Sequence, residues 1–339
     1  VTAAARLTAP LVALAAALGA SALVIGLAGG DPLLALGALA QGAFGSADAW
    51  SEVGVRTCPL LLCGLAVAIA FRAGIWNIGA EGQLLVGAVM VAWLGSRVGT
   101  WPASLSIAAV LAAAALGGAL WAGIAGVLRT ARGVDEVIST IMLNFIALGM
   151  VGWLVNGPLM EAAGTYPQSD AVAAAARLPR LFSGYRVHIG LLLALLAALG
   201  CWLLLFRTAL GFEMRAAGLN LLAARLAGLR TTGALLRALA LSGALAGLAG
   251  GIEVSAITFR LYENFSPGYG FTAIAVALLG RLHPLGVIVG ALLFGALDVG
   301  SAAMQSVAGV SSVMVSAVQA IVILALLALD QRRTAAGAA

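Results

Sequence analysis

The chain has 339 residues, 63% of them hydrophobic and only 9% charged, with a net charge of +5 and a mean hydropathy of +1.10. Soluble domains run near half apolar and about a quarter charged, so a water-soluble globule is excluded and a polytopic membrane protein remains. All eighteen basic residues are arginine, which excludes phosphate binding by a P-loop lysine and Schiff-base chemistry.

A helix needs about 20 apolar residues to cross roughly 30 Å of hydrocarbon. In chain order the first predicted span is 10–29, read as an uncleaved helix because the run from Pro10 to Leu27 is long for a signal peptide. Region 57–96 is apolar but interrupted. Uninterrupted spans follow at 103–128, 137–157, 188–206 and 234–255; then comes a second interrupted region, 269–303, and a last span at 310–329. Each interrupted region is too long for one helix, and reading both as pairs brings the count to about ten. With the N-terminus inside, eleven arginines fall in inner loops and six in outer ones, Arg72 being unassigned. That bias predicts both termini in the cytosol.

Residues 158–187, with three prolines, read as an outer loop carrying a short helix. Cys58, Cys63 and Cys201 read as apolar packing residues, and His188 and His283 lie too far apart in sequence to suggest a metal site. Residues 1–333 read as one transmembrane domain and 334–339 as a disordered tail.

The first interruption holds the stretch FRAGIWNIGAEGQ, Phe71 to Gln83. Its neighbours are short apolar runs, so the stretch is predicted partly within membrane depth, where broken helix survives only against protein or a water-filled cavity. GRLHPLG, Gly280 to Gly286, repeats the device in the second half. Interrupted spans in both halves of a transporter point to a substrate path, which makes Asn77, Glu81 and Gln83 candidate lining or gate residues. Close helix packing is the competing reading, with Arg72 either at the interface or paired with Glu81. Trp76 is a candidate for stacking on a ring-shaped solute or for an interfacial anchor. Asn144, Glu253, Asp298 and Gln319 are further polar groups inside predicted spans.

The most charged loop, RTALGFEMRAAGLNLLAARLAGLRTTGALLR from Arg207 to Arg237, holds five arginines, its two ends included, and one glutamate. Leu222, Leu226 and Leu229 give one apolar helical face. Such a helix either lies on lipid or docks into a partner's groove.

GIWNIGAEGQLLVGA, GVDEVISTIMLN (Gly133–Asn144), MRAAGLNLLAARLAGL (Met214–Leu229) and the closing GALLFGALDVG…VQAIVILALLALD together resemble permease subunits of bacterial ABC importers for ribose-type sugars and nucleosides. The resemblance runs from about Pro59 to Asp330 and is greatest to the nucleoside branch, since Trp76 and Asn77 stand where ribose permeases carry an acidic residue and a serine. It implies an all-α transmembrane domain in the bacterial inner membrane, with broken helices near a central path. It also implies that 207–237 is a coupling loop, with Glu213, Met214, Arg215, Ala216, Gly218 and Asn220 at the contact with a cytosolic ATPase. Asn144 and Phe145 would then lie beside the path. The implied partners are that ATPase, which binds ATP and Mg, a second permease, identical or paralogous, and an extracytoplasmic binding protein delivering a nucleoside or sugar. No cofactor on this chain and no nucleic acid are expected. The alternative is a proton-coupled secondary transporter using Glu81, Glu253 or Asp298 as carrier. An intramembrane enzyme is disfavoured, because no paired His/Asp or Ser/His constellation stands out.

Overall fold

A computed structural model describes residues 19–27, 29–311, 317, 320 and 321. Half of the predicted span 10–29 and most of 310–329 therefore lie outside the described residues, as do Gln319 and the tail 334–339.

The described residues are helical, with only two isolated β-bridges. Residues 19–27 are helical. There follow α1 (Pro32–Phe44), α2 (Ala47–Arg72), α3 (Ala80–Gly95), α4 (Ala103–Arg132), α5 (Glu136–Val155), α6 (Gly190–Arg207), α7 (Ala209–Leu219), α8 (Leu221–Leu226), α9 (Thr231–Glu253), α10 (Tyr269–Leu279) and α11 (Pro284–Ala308). Six of these are long and apolar enough to cross a membrane: α2, α4, α5, α6, α11, and α9 together with the π-helical turn Val254–Thr258 that prolongs it. The shorter α1, α3 and α10 are apolar too.

Both interrupted regions are asymmetric rather than pairs of equal short helices. In the first, a 26-residue helix precedes a 16-residue one; in the second, an 11-residue helix precedes one of 25. Helix α2 begins at Ala47, ten residues before the predicted region. Its first turns carry Asp48, Glu52 and Arg56, which no apolar-run reading detects, yet the Ser46 hydroxyl accepts from Ala49 N and so starts the helix.

The chain divides into two compact units, residues 1–56 with 292–339, and residues 57–291. In the first, Ile25, Ala35, Leu39, Leu297 and Met304 form one buried cluster and Ala43, Val53 and Ala296 another. Arg56 Nε lies 3.3 Å from the Asp298 carboxylate.

In the second unit α9 packs on α3 and α4 through glycines. A Cβ on Gly118 or Gly243 would strike the other's carbonyl, one on Gly87 would strike the Gly247 backbone, and one on Gly250 the Leu84 carbonyl. Lipid tails are as apolar as leucine, so helix association in a bilayer depends on close backbone approach of this kind. Helix α2 is 94% buried over its apolar window, against 28% for α4 and α6 and 33% for α5; the latter three present their remaining surface outward.

Residues 158–187 include the expected short helix, a 3-10 turn at Ala174–Ala176. The segment is strapped along the π turn: Ser169 N, Val172 N and Leu178 N donate to the carbonyls of Leu261, Phe259 and Ser255. Arg260 adds a 2.6 Å ion pair to the buried Glu161.

Candidate functional site

Helix α2 ends in a Schellman turn. Gly74 adopts φ +78°, Ile75 N donates to Ala70 O at 3.0 Å and Gly74 N to Phe71 O at 3.1 Å. Residues 75–79 then run without helical bonds to the start of α3, and their polar groups are met one by one. Asn77 Oδ1 accepts from Gly79 N at 2.9 Å, and Asn144 Oδ1 accepts from Gly82 N at 2.8 Å. Asn144 Nδ2 donates to Ile78 O at 2.9 Å, and Thr140, one turn earlier on α5, receives Ile78 N at 3.3 Å. An unpaired backbone amide in hydrocarbon costs several kcal/mol. The polar residues of this greasy stretch supply what the missing helix does not.

Asn77 and Gln83 close the arrangement. Their amides exchange two hydrogen bonds, 3.1 and 3.0 Å, and Asn77 Nδ2 also donates to Ser242 Oγ at 2.8 Å, which itself donates to Ala66 O at 2.7 Å. Both side chains are 1% exposed or less. Asn144 is buried as well, whereas Trp76 and Phe145 are 54% and 61% exposed. Trp76 leans on Phe71 with ring centroids 4.6 Å apart.

Arg72 and Glu81 do not take the alternative of pairing with each other; they make two separate attachments. Glu81 Oε2 accepts from Gly270 N at 2.7 Å. Helix α10 has no side-chain cap of its own, so a carboxylate 189 residues away serves its N-terminus, where partial positive charge favours an anion. Arg72 points to the second break instead, donating from Nε to Leu282 O at 2.6 Å and from Nη2 to Arg281 O at 3.4 Å. The eight residues between them, unwound chain and the first residue of α3, put the two side chains on different neighbours. The second break is strained: Arg281 and Leu282 have φ of 53° and 55°, a conformation uncommon for residues with a Cβ. Pro284 starts α11 and His283 Nδ1 accepts from Leu285 N at 3.3 Å.

The 207–237 segment meets the first break directly. It folds as α7 and α8, separated at Asn220, because the Asn220 side chain caps α8 by accepting from Ala223 N at 2.9 Å. A Cβ on Gly218 would collide with the Arg72 carbonyl and the Gly74 amide. Arg215 lies 5.2 Å from the Phe206 ring centre, Glu213 lies 3.5 Å from Arg237, and Ala216 O accepts from Asn220 N. Met214 is fully buried, so it seats α7 and offers no surface to a partner. The exposed apolar side chains here are Phe212, Leu219, Leu222 and Leu226. Sequence reasoning passed over Phe212 and Leu219, although both are bulky apolar residues in a charged loop. Between α7 and the first break opens a cavity of about 350 Å³, lined by Gly74, Arg129, Glu136, Gly218, Asn220 and Arg225 among others. Among the described residues no group of three His, Cys, Asp or Glu gathers to hold a metal.

Over residues 50–327 the sequence matches the family described as branched-chain amino acid transport system / permease component. The chain belongs to this family of permeases. The permease is 37% identical over 330 residues to a glucose ABC transporter permease protein of Haloferax volcanii, covering 94% of this chain and 86% of that one. It is 37% identical over 323 residues to a guanosine ABC transporter permease protein of Bacillus subtilis, covering 94% and 92%. A nucleoside ABC transporter permease protein of Lactococcus lactis is 32% identical over 310 residues, covering 88% and 84%. No solved structure matches the permease.

Proposed function

We propose that the permease carries nucleosides, guanosine among them, into a bacterial cell as the transmembrane subunit of an ATP-driven importer. The observation that carries this reading is its identity along nearly the whole chain to permeases of guanosine and nucleoside transporters. Trp76 and Phe145 suit it, because exposed aromatic faces beside the broken region offer stacking to a purine ring. In this reading Asn77, Gln83 and Asn144 act as the frame of the break, their hydrogen bonds being spent on the chain itself, and Glu81 fixes α10.

The orientation proposed has both termini and the 207–237 loop in the cytosol. Helices α7 and α8 then present Phe212, Leu219, Leu222 and Leu226 to the ATPase, with Glu213, Arg215, Ala216, Gly218 and Asn220 behind or beside them. An extracytoplasmic binding protein and a second permease, each on its own chain, complete the importer. The family match, residues 50–327, passes through both compact units, which supports treating 1–333 as one permease domain. ATP and Mg belong to the ATPase chain. Of the three candidate proton carriers, Glu81 is engaged by Gly270 and Asp298 by Arg56, while Glu253 is buried at the end of α9.

The test is uptake into proteoliposomes holding the whole importer. Labelled guanosine should accumulate with ATP and loaded binding protein, and a pH gradient alone should drive none. Uptake by the permease alone under a pH gradient would overturn the reading. Glucose uptake in place of guanosine would overturn the solute.

A further inference from the structure

Resting on the reading above, we infer that Arg72 is a positioning residue that lets the α7 helix set the geometry of both helix breaks at once. Four elements meet at this side chain. Its own carbonyl abuts Gly218 of α7, so α7 cannot advance without displacing the last residue of α2. Its guanidinium holds the carbonyls of Leu282 and Arg281, the two residues of the second break with left-handed backbone. Consecutive non-glycine residues in that conformation persist only where surrounding contacts over-determine them, and Arg72 supplies two such contacts.

Phe206, at the end of α6, completes the link. The guanidinium carbons of Arg72 and Arg215 each lie 5.2 Å from its ring centre, and the His283 ring is 5.1 Å away. Two cations sharing one ring repel each other and are each attracted to its face. They differ in how firmly they are held. Arg72 is tied by hydrogen bonds to two carbonyls, whereas Arg215 Nε is buried without a hydrogen-bond partner. Arg215 is thus the member that a shift of α7 moves, and Arg72 the member that passes the shift to 281–283. Coupling between two sites of a protein is typically about fivefold or more, and that is the scale on which the link is to be read.

The experiment uses the assembled importer carrying Leu285→Cys, a half-exposed position just beyond the second break; the native cysteines Cys58, Cys63 and Cys201 are buried. Maleimide labelling of this cysteine is timed without nucleotide and after trapping ATP with vanadate. Trapping should change the rate about fivefold or more, and Arg72→Ala should reduce that change to less than about twofold while ATP still binds. Phe206→Leu, which keeps apolar bulk but removes the ring, should do the same and decides the matter should Arg72→Ala fail to assemble. An undiminished change in either assembled variant would overturn the inference, as would a rate insensitive to nucleotide without the variants. Labelling needs no transported solute, so failure of guanosine uptake in the unlabelled importer would count against the proposed solute alone.

Discussion

Asn77 and Gln83 face each other across the start of α3 and trade two amide hydrogen bonds, 3.1 and 3.0 Å long. Each satisfies the other where both side chains are buried, and Asn77 alone touches Gly79, Gln83 and Ser242. The pair explains why a hydrophobic chain spends amides between α2 and α3: the backbone is broken there and its groups need partners.

Asn77→Ala should therefore destabilise the permease more than a surface substitution would, at about 1–3 kcal/mol for each buried group left unpaired. Thermal unfolding in detergent should show it. The Asn77→Ala, Gln83→Ala double variant should lose less than the sum of the single losses, because the two share their bonds.

Asn144 spans the same break from α5, giving to Ile78 O and receiving from Gly82 N. Asn144→Leu removes both partners and adds a branched side chain beside Gly82, whose own hydrogen position is already crowded by Asn144. The expected outcome is a loss of folded protein on size-exclusion chromatography. Asn144→Asp keeps an acceptor for Gly82 N and should retain more.

Gly218→Val drives side-chain atoms into the Arg72 carbonyl. Uptake should fall about tenfold or more, while solute affinity measured on the isolated binding protein stays unchanged. Uptake at the unsubstituted rate would remove α7 from the coupling role.

Glu81→Gln keeps an acceptor for Gly270 N but drops the charge that α10's N-terminus favours, a loss of roughly 0.3–2 kcal/mol. Glu81→Ala leaves the amide without a partner and should cost more. ATP-driven uptake should persist in Glu81→Gln, which separates a helix-fixing carboxylate from a proton carrier.

His188, just outside α6, is buried, and its Nδ1 accepts from Gly190 N at 3.2 Å. Burial, with Arg186 adding to it, pushes its pKa down to about 4. The folded state thus binds this proton less readily than the unfolded chain, whose histidine titrates near 6.5. The stabilisation is complete above about 6.5 and is lost as pH falls toward about 4. Melting temperature in detergent should drop between neutral pH and pH near 5, and His188→Asn should flatten that slope.

Much was legible in the sequence for physical reasons. Spans such as α4, α5 and α6 follow from unbroken apolar length, since each helix must satisfy its own backbone in lipid. Both breaks announced themselves through Gly, Asn and Pro at Gly74, Asn77 and Pro284. The start of α2 did not, because Asp48, Glu52 and Arg56 hide ten helical residues from any hydropathy count.

Composition and apolar run length, then, determined by themselves that this chain crosses a membrane several times and that two of its helices are interrupted, because transfer into hydrocarbon depends on residue type and length. Tertiary structure alone decided what the interrupting residues do. Whether a polar side chain or a freed backbone group lines a path or closes a gap depends on which polar groups lie within about 3 Å of it. Those groups come from Thr140, Asn144, Ser242 and Gly270, far along the chain from Phe71–Gln83.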